Sequence, residues 1–369
     1  FFETYDKYVD SVFYDASAWS MSNFYNMKSR KLKNFTAESE IFSTNDLVKN
    51  LKVNKSNYSY ILDWDDYNSV AALNYLQKNN LITYSAFKPF SVRVNETSSI
   101  KNFNYGSILI PVSKQKISAD KLYEIIKTAQ EKYNVPIYNS KSGFSIKGID
   151  LGSNNFRINK PVKVALLIGE GVNSYEAGEV WHLMDTRVGM PISKIRLSQF
   201  SRVSLDKYTT LIMVSGSYNQ LAKIDIEKIN DWVKKGNTLI TIAKGSSWVI
   251  EKELVKETLL EPINDSIFSR KNYVSAAENI GRERIGGAIL NVDLDLTHPL
   301  AFGYRDSSIP VYKNNNVFIN KTKDHYSSVG IYSKDPHIDG YISKKNMKNN
   351  FKNTASLIVS RLGSGRVVI

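Results

Sequence analysis

The feature that most constrains this chain is the way its apolar residues are packaged. They come in runs of four or five, such as "VALLI" (Val164–Ile168) and "LIMV" (Leu211–Val214), and segments of helix length follow. Runs this short have the length of buried strands, and strand–helix alternation points to helices packed on a mostly parallel sheet. No run approaches the roughly 20 apolar residues that span a bilayer, so no membrane span is expected.

The alternation occurs twice. The first region has strand-like "YSYILDW", "LITYSAF", "YGSILIPVS" and "VPIYNS", with helices expected at "NSVAALNYLQKNN" and "SADKLYEIIKTAQEKYN". Ser118 is placed to cap the second helix, and Leu122, Ile125, Ile126 and Ala129 share one face of it. A Gly/Ser/Asn/Pro-rich stretch, Ser142 to Pro161, reads as a connection. The pattern then restarts with "VALLIG", a helix that Ser174 is placed to cap, "TTLIMVS", a helix with Asp225 at its start and Gly236 past its end, and "NTLITIA". The expectation is two doubly wound α/β domains of the flavodoxin or class I glutamine amidotransferase type, residues 1–158 and 159–369.

Hydrophobic residues make up 42% of the 369-residue chain, ample for packed cores. Cysteine is absent, which removes disulfides, thiolate metal sites and a cysteine nucleophile together. The formal charge of +13 invites a nucleic-acid reading, but the Lys and Arg are scattered, with short clusters at Lys28–Lys33 and Ser343–Lys352. A solvated basic surface is the simpler reading, and no nucleic-acid partner is expected. A chain opening on "FFETYDKYVD" is expected to be a piece of a longer protein.

Several motifs invite chemistry. Gly169-x-Gly171 lies between a strand and a helix, but the third glycine of a dinucleotide fingerprint falls on Ser174, so the glycines are assigned to a tight turn and no nucleotide cofactor is expected. His182-x-x-Asp185 with the distant His298 imitates a zinc ligand set, yet both residues sit on a helix that reads as a packing helix, and no metal is assigned. His325 and His337-x-Asp339 fall in polar loops. Of the acid pairs, Asp65–Asp66 follows a strand, and Asp293/Asp295 alternates as on a half-exposed strand.

The stretch "LITIAKGSSWVI" (Leu239–Ile250) has the strand–turn–helix form that presents a nucleophile. Laid over that pattern, the nucleophile position falls at Gly245, with Ser246 and Ser247 beside it. Glycine has no attacking group, and no His-x-Glu partner follows, so no catalytic residue is expected.

"DSVFYDASAW", "GSILIPV", "GIDLGSNNFR", "VALLIGEGVNSYEAGEVWHLMD", "LIMVSGSY", "IAKGSSW" and "HPLAFGY" resemble, in that order, the C-terminal half of large bacterial zinc carboxypeptidase-like proteins. The resemblance runs from about Asp10 to Val368. It implies an upstream carboxypeptidase A-like domain with one zinc ion in the parent, a class I glutamine amidotransferase-like domain here, and periplasmic or secreted location. It implies for this region an accessory role: packing on the peptidase domain, oligomerisation, or substrate presentation. None of the family's catalytic or metal-binding residues maps onto this chain. Two rivals remain open: a serine hydrolase using Ser246 or Ser247, and a cell-wall peptide or glycan binder using Trp19, Tyr25 and Trp64.

Overall fold

The computed structural model describes residues 51–95, 99–261, 270, 272–283 and 285–369, together with 21–25, 27, 30, 33, 34 and 43. Trp19 lies outside the described residues, as does most of the first fifty. The fold is mixed α/β. After a short helix, Met21–Phe24, the first half has in chain order β1 (Ser59–Leu62), α1 (Ser69–Lys78), β2 (Tyr84–Ala86), β3 (Phe90–Val94), β4 (Ser99–Phe103) and β5 (Ile108–Pro111). It continues with α2 (Ala119–Tyr133), β6 (Ile137–Ser140), β7 (Lys147–Gly148) and β8 (Phe156–Ile158).

The expected parallel sheet is not what the first half builds. Its five-stranded sheet has the order β6-β1-β5-β2-β8, and every pairing in it is antiparallel. The difference has a physical cause. The helices α1 and α2 cover one face through Ala72, Leu76, Leu122, Ile126 and Ala129. A second sheet, β4-β3-β7, covers the other through Phe90, Val92 and Phe103. All four residues of β1 are therefore buried, giving the continuous apolar run that parallel strands usually show. The stretch expected to be a connection is also structured: β7 pairs with β3, and β8 pairs with β2.

The second half has β9 (Val164–Ile168), α3 (Ser174–His182), β10 (Ser193–Arg196), β11 (Thr210–Met213), α4 (Lys223–Lys234), β12 (Thr238–Thr241), α5 (Lys244–Glu251) and α6 (Ala276–Glu283). Then follow β13 (Ala288–Leu294), β14 (Ser308–Lys313), β15 (Ile319–Asn320), β16 (Ser328–Gly340), α7 (Lys344–Asn350), β17 (Thr354–Leu362) and β18 (Gly365–Val368). Ten strands form one sheet in the order β10-β9-β11-β12-β18-β17-β16-β13-β14, with β15 beside β17. From β10 to β18 all neighbours are parallel; from β18 to β14 all are antiparallel.

Helices cover both faces of the parallel part. Ile229, Trp232 and Val233 of α4 and Trp248 and Val249 of α5 pack on Leu211, Met213 and Leu239. On the other face Ala177 of α3 meets Leu166, Ile212 and Val214. Asn173, not Ser174, caps α3, accepting from the amides of Tyr175 and Glu176. Asp225 lies three residues inside α4 and accepts from the backbone of Ala222. Among the described residues no helix is long and apolar enough to cross a membrane.

Candidate functional site

A sharp strand-to-helix turn stands within Leu239–Ile250, and its strained residue lies two positions before Gly245. β12 ends at Thr241, and Ala243 takes φ 50°, ψ −115° before α5 begins at Lys244. A positive φ on a residue with a Cβ is strained by roughly 1–3 kcal/mol and persists where surroundings over-determine it. Here Ile242 donates to the Met213 carbonyl at 2.9 Å, and Gly245 and Ser246 donate back to Ile242 and Ala243. Gly245 is not the tip but the packing contact after it: a Cβ there would lie 2.6 Å from the Met213 carbonyl oxygen and 2.8 Å from that of Val214. The strained position of the turn therefore carries the methyl group of Ala243. The spacing Thr241-x-Ala243-x-Gly245 was the available signal, since the glycine of close approach follows the tip by two.

Ser246 is buried, and its hydroxyl meets that of Thr241 at 3.1 Å; the Thr241 hydroxyl also reaches the Val368 carbonyl at 3.2 Å. Neither partner is a base able to activate a serine. Two backbone donors near the tip are also occupied. The Lys244 amide donates to Ser215 Oγ at 3.3 Å, and the Ser215 amide donates to Glu176 Oε2 at 2.8 Å. Donors meant for a developing oxyanion would have to be free to meet it.

Beside the elbow, between β9 and β11, the strand order reverses, where open α/β sheets usually bind ligands. The two loops there are zipped to each other instead. Ser217 donates to Gly171 at 2.7 Å and Asn173 to Ser215 at 2.8 Å. Gly169 and Gly171 have φ of 109° and 88°, so both glycines serve the turn. Tyr218 closes the floor, donating to the Val214 carbonyl at 2.6 Å; burial, then the nearby Glu176, push its phenol well above the ordinary range.

On the far side of the elbow lies a cavity of about 290 Å³. Thr241, Ala243 and Ser246 form one wall, and Lys313, Asn315 and Val317 form another. Nothing in the sequence marked Lys313, which occupies an alternating strand like many solvated lysines.

The histidines do not converge. His182 ends α3 and is exposed, and Asp185 lies beyond it in a turn of π-helix, Leu183–Val188. The packing role expected of this helix is also modest, since Ala177 is its buried residue while Trp181 is exposed. His298 is half-buried; its Nδ1 accepts from the Leu300 amide, and burial lowers its pKa, with Asp295 opposing. His325 is exposed, and His337 Nε2 meets the Gly340 carbonyl. Asp293 is exposed on β13. Among the described residues no group of three or more His, Asp or Glu is placed to hold a metal.

Trp64 lines a second cavity, of about 360 Å³, where the two halves meet. Asp63, Asp65 and Tyr105 face Phe302, Tyr304 and Arg305 across it. Arg305 Nε donates to Asp65 Oδ2 at 2.6 Å, and buried Asp63 pairs with Lys101 at 2.9 Å. Burial and the neighbouring Asp65 raise the Asp63 carboxyl above its ordinary value, against Lys101. Tyr25 is exposed and does not line this cleft, and Asp66 stands outside its lining as well.

No protein-family model matches the chain, and no curated protein matches it. Solved structures with partial likeness include a GH42 β-galactosidase from G. stearothermophilus, 15% identical over 69% of this chain, TM-score 0.29. A GMP synthase-type protein from Thermoplasma acidophilum is 11% identical over 50% of this chain and 81% of its own, TM-score 0.32. A ThuA-like protein from Bacteroides uniformis is 11% identical over 56% of this chain and 80% of its own, TM-score 0.32. The chain spans 31% of the length of the β-galactosidase. At TM-scores of this size none of the three supports an inference about this chain.

Proposed function

We propose that this chain is a catalytically silent region of a zinc carboxypeptidase-like protein. Its second half is a flavodoxin-type, class I glutamine amidotransferase-like domain that keeps the nucleophile elbow and has lost the nucleophile. The observation that carries the reading is Ala243, held at φ 50° where a reactive side chain would stand. Occupation of the nearby amides by Ser215 and Glu176 supports it. The zinc belongs to the upstream domain of the parent, and the location is periplasmic or secreted; both rest on the sequence resemblance.

The role of such a region is to pack on the peptidase domain, to join copies of the protein, or to present substrate. Tyr175, Trp181 and Leu183 along α3 and its π-helical turn are exposed and offer an apolar surface for the first two. The test is the intact mass of the native protein, captured with an antibody against this region. A mass well above that of the 369-residue chain is expected. A mass equal to it would end the peptidase-like reading. A fluorophosphonate probe separates the serine-hydrolase alternative, since labelling of Ser246 or Ser247 would revive it and no labelling is expected.

A second reading has one specific observation behind it. Trp64 sits in the cleft between the halves, with Tyr105 and Tyr304 and the polar groups of Asp65 and Arg305, a combination suited to a glycan or peptide. Quenching of tryptophan fluorescence by cell-wall glycans or peptides, abolished in Trp64→Ala, would favour it.

A further inference from the structure

A cavity of about 470 Å³ lies at the N-terminal ends of β9 and β10, the end of the sheet opposite the turn at Ala243. Gln77 and Lys78 of α1 close it from the first half, and Val162, Lys163, Pro191 and Tyr208 from the second. Three of its lining residues are lysines, Lys78, Lys163 and Lys207, and among the described residues no carboxylate lines it. Three of the four segments that build its wall, 67–95, 151–169 and 186–205, contain no Asp or Glu at all. The lysines are held in place. The Lys163 carbonyl accepts from the Thr209 amide at 2.9 Å, and its own amide donates to Thr209 Oγ1 at 2.9 Å. These bonds bring Lys163 beside the segment of Lys207, which ends a turn of 3-10 helix anchored by buried Leu205. Lys78 donates to the Gly189 carbonyl at 2.6 Å. Lys163 and Lys207 have no ion-pair partner among the described residues, and Asp206 reaches Lys235 at 4.0 Å instead. Like charges on one wall repel, and a cleft of one sign concentrates counter-ions.

We propose that this cavity binds a monosaccharide phosphate, its phosphoryl group between Lys163 and Lys207 and its sugar against Gln77, Ser193 and Tyr208. A phosphate monoester carries close to two negative charges at neutral pH, which two ammoniums answer, and lysine serves phosphate as a point charge. At about 30 Å³ per water, 470 Å³ holds roughly sixteen water-sized groups, the scale of a pentose or hexose phosphate. Gln77 and Ser193 offer hydrogen bonds to sugar hydroxyls, while Val162, Met190, Pro191 and the ring of Tyr208 face the carbon skeleton. Tyr208 is the one aromatic ring on the wall among the described residues, whereas single-stranded nucleic acid calls for several stacking rings. The site does not depend on a peptidase-like parent.

Calorimetric titration of the 369-residue chain with glucose 6-phosphate and ribose 5-phosphate tests it, with glucose and inorganic phosphate as the separate parts of the ligand. The expected result is saturable binding of at least one ester, with affinity weaker by about tenfold or more for each part, the scale of one charge-assisted contact. A similar loss is expected when Lys163→Gln and Lys207→Gln are combined. Lys223→Gln, exposed at the start of α4 and outside the lining, should leave the affinity unchanged. Absence of saturable binding for both esters overturns the proposal. So does inorganic phosphate binding as tightly as the esters, which would mean a bare anion site. An equal loss in Lys223→Gln also overturns it, since general attraction to a basic surface would then suffice. Where the double variant does not fold, the comparison of the esters with glucose and phosphate on the unaltered chain decides.

Discussion

At the scale of single residues, the elbow makes opposite demands on two neighbours. Ala243 carries a Cβ where the backbone would accept glycine more easily. Ala243→Gly is therefore expected to stabilise the fold by about 1 kcal/mol, strain relief exceeding the entropy of a freer unfolded chain. Gly245→Ala is expected to destabilise by about 2 kcal/mol or more, because the new methyl meets two backbone carbonyls that cannot rotate away. Urea denaturation of the two variants checks both signs, and a destabilised Ala243→Gly would show that no strain is stored there. Lys313 gives a prediction about pH. Its ammonium titrates near 8 in the fold and near the ordinary lysine value when unfolded, so the unfolded state binds more protons between those limits. The burden of the buried charge is therefore fully present below pH 8 and is relieved as pH rises toward 10. Relative to Lys313→Met, the wild-type chain should gain stability across that interval, as read by denaturant midpoints at pH 7, 8, 9 and 10.

At the scale of elements, the sequence showed strands more readily than their directions. Runs such as "VALLI" and "LIMV" are buried on both faces and were recognisable as strands, as was the helix capped by Ser118. Direction in the first half was hidden because "SYIL" and "ILIP" are nearly as apolar as parallel strands, the second sheet supplying the cover that a helix layer would. That second sheet was itself illegible: β3 and β4 alternate weakly, and β7 has two residues among polar ones. The strand-to-helix turn at Ala243 is legible as a turn, but its strained residue is not, because glycine is what stands out in the sequence. The π-helical end of α3 also had no local signal, since what fixes it comes from elsewhere. Asn74 of α1 donates to the carbonyls of Val188 and Gly189 at 3.0 Å, and Lys78 donates to Gly189 at 2.6 Å. These are orphan carbonyls of a helix end. Asn74→Ala should cost about 1 kcal/mol and raise hydrogen exchange in residues 183–189 before it does so in β9. Uniform loss of protection across the second half would show that the cap is not local.

At the scale of the whole molecule, the contacts between the halves decide whether they behave as one unit. Among the described residues one contact joins α1 to the π-helical turn, and the short helix Met21–Phe24 also reaches β14. Another is centred on Phe302, which stacks on Tyr105 with centroids 5.4 Å apart and meets Phe87 edge-on at 5.4 Å. Two glycines allow that approach: a Cβ on Gly106 or Gly303 would strike Trp64. The Arg305–Asp65 pair lies beside this cluster, but Arg305 is largely exposed, so the pair contributes little next to the aromatic packing. Each half has separate hydrophobic cores, with Tyr60 and Ile126 in one and Leu211 and Trp232 in another. Among the described residues, the aromatic cluster at Phe302 is a main point of cooperation between them. Phe302→Ala removes its central ring at a cost of about 2 kcal/mol, below the range for a fully buried phenylalanine because Phe302 is half-buried. Scanning calorimetry should then resolve two transitions where the wild-type chain gives one, with the first-half transition unmoved in a further Trp248→Phe variant that perturbs only the second core. A single transition in Phe302→Ala would show that the Phe302 cluster does not carry the coupling, and the Asn74→Ala variant would then test the contact of α1 with the π-helical turn.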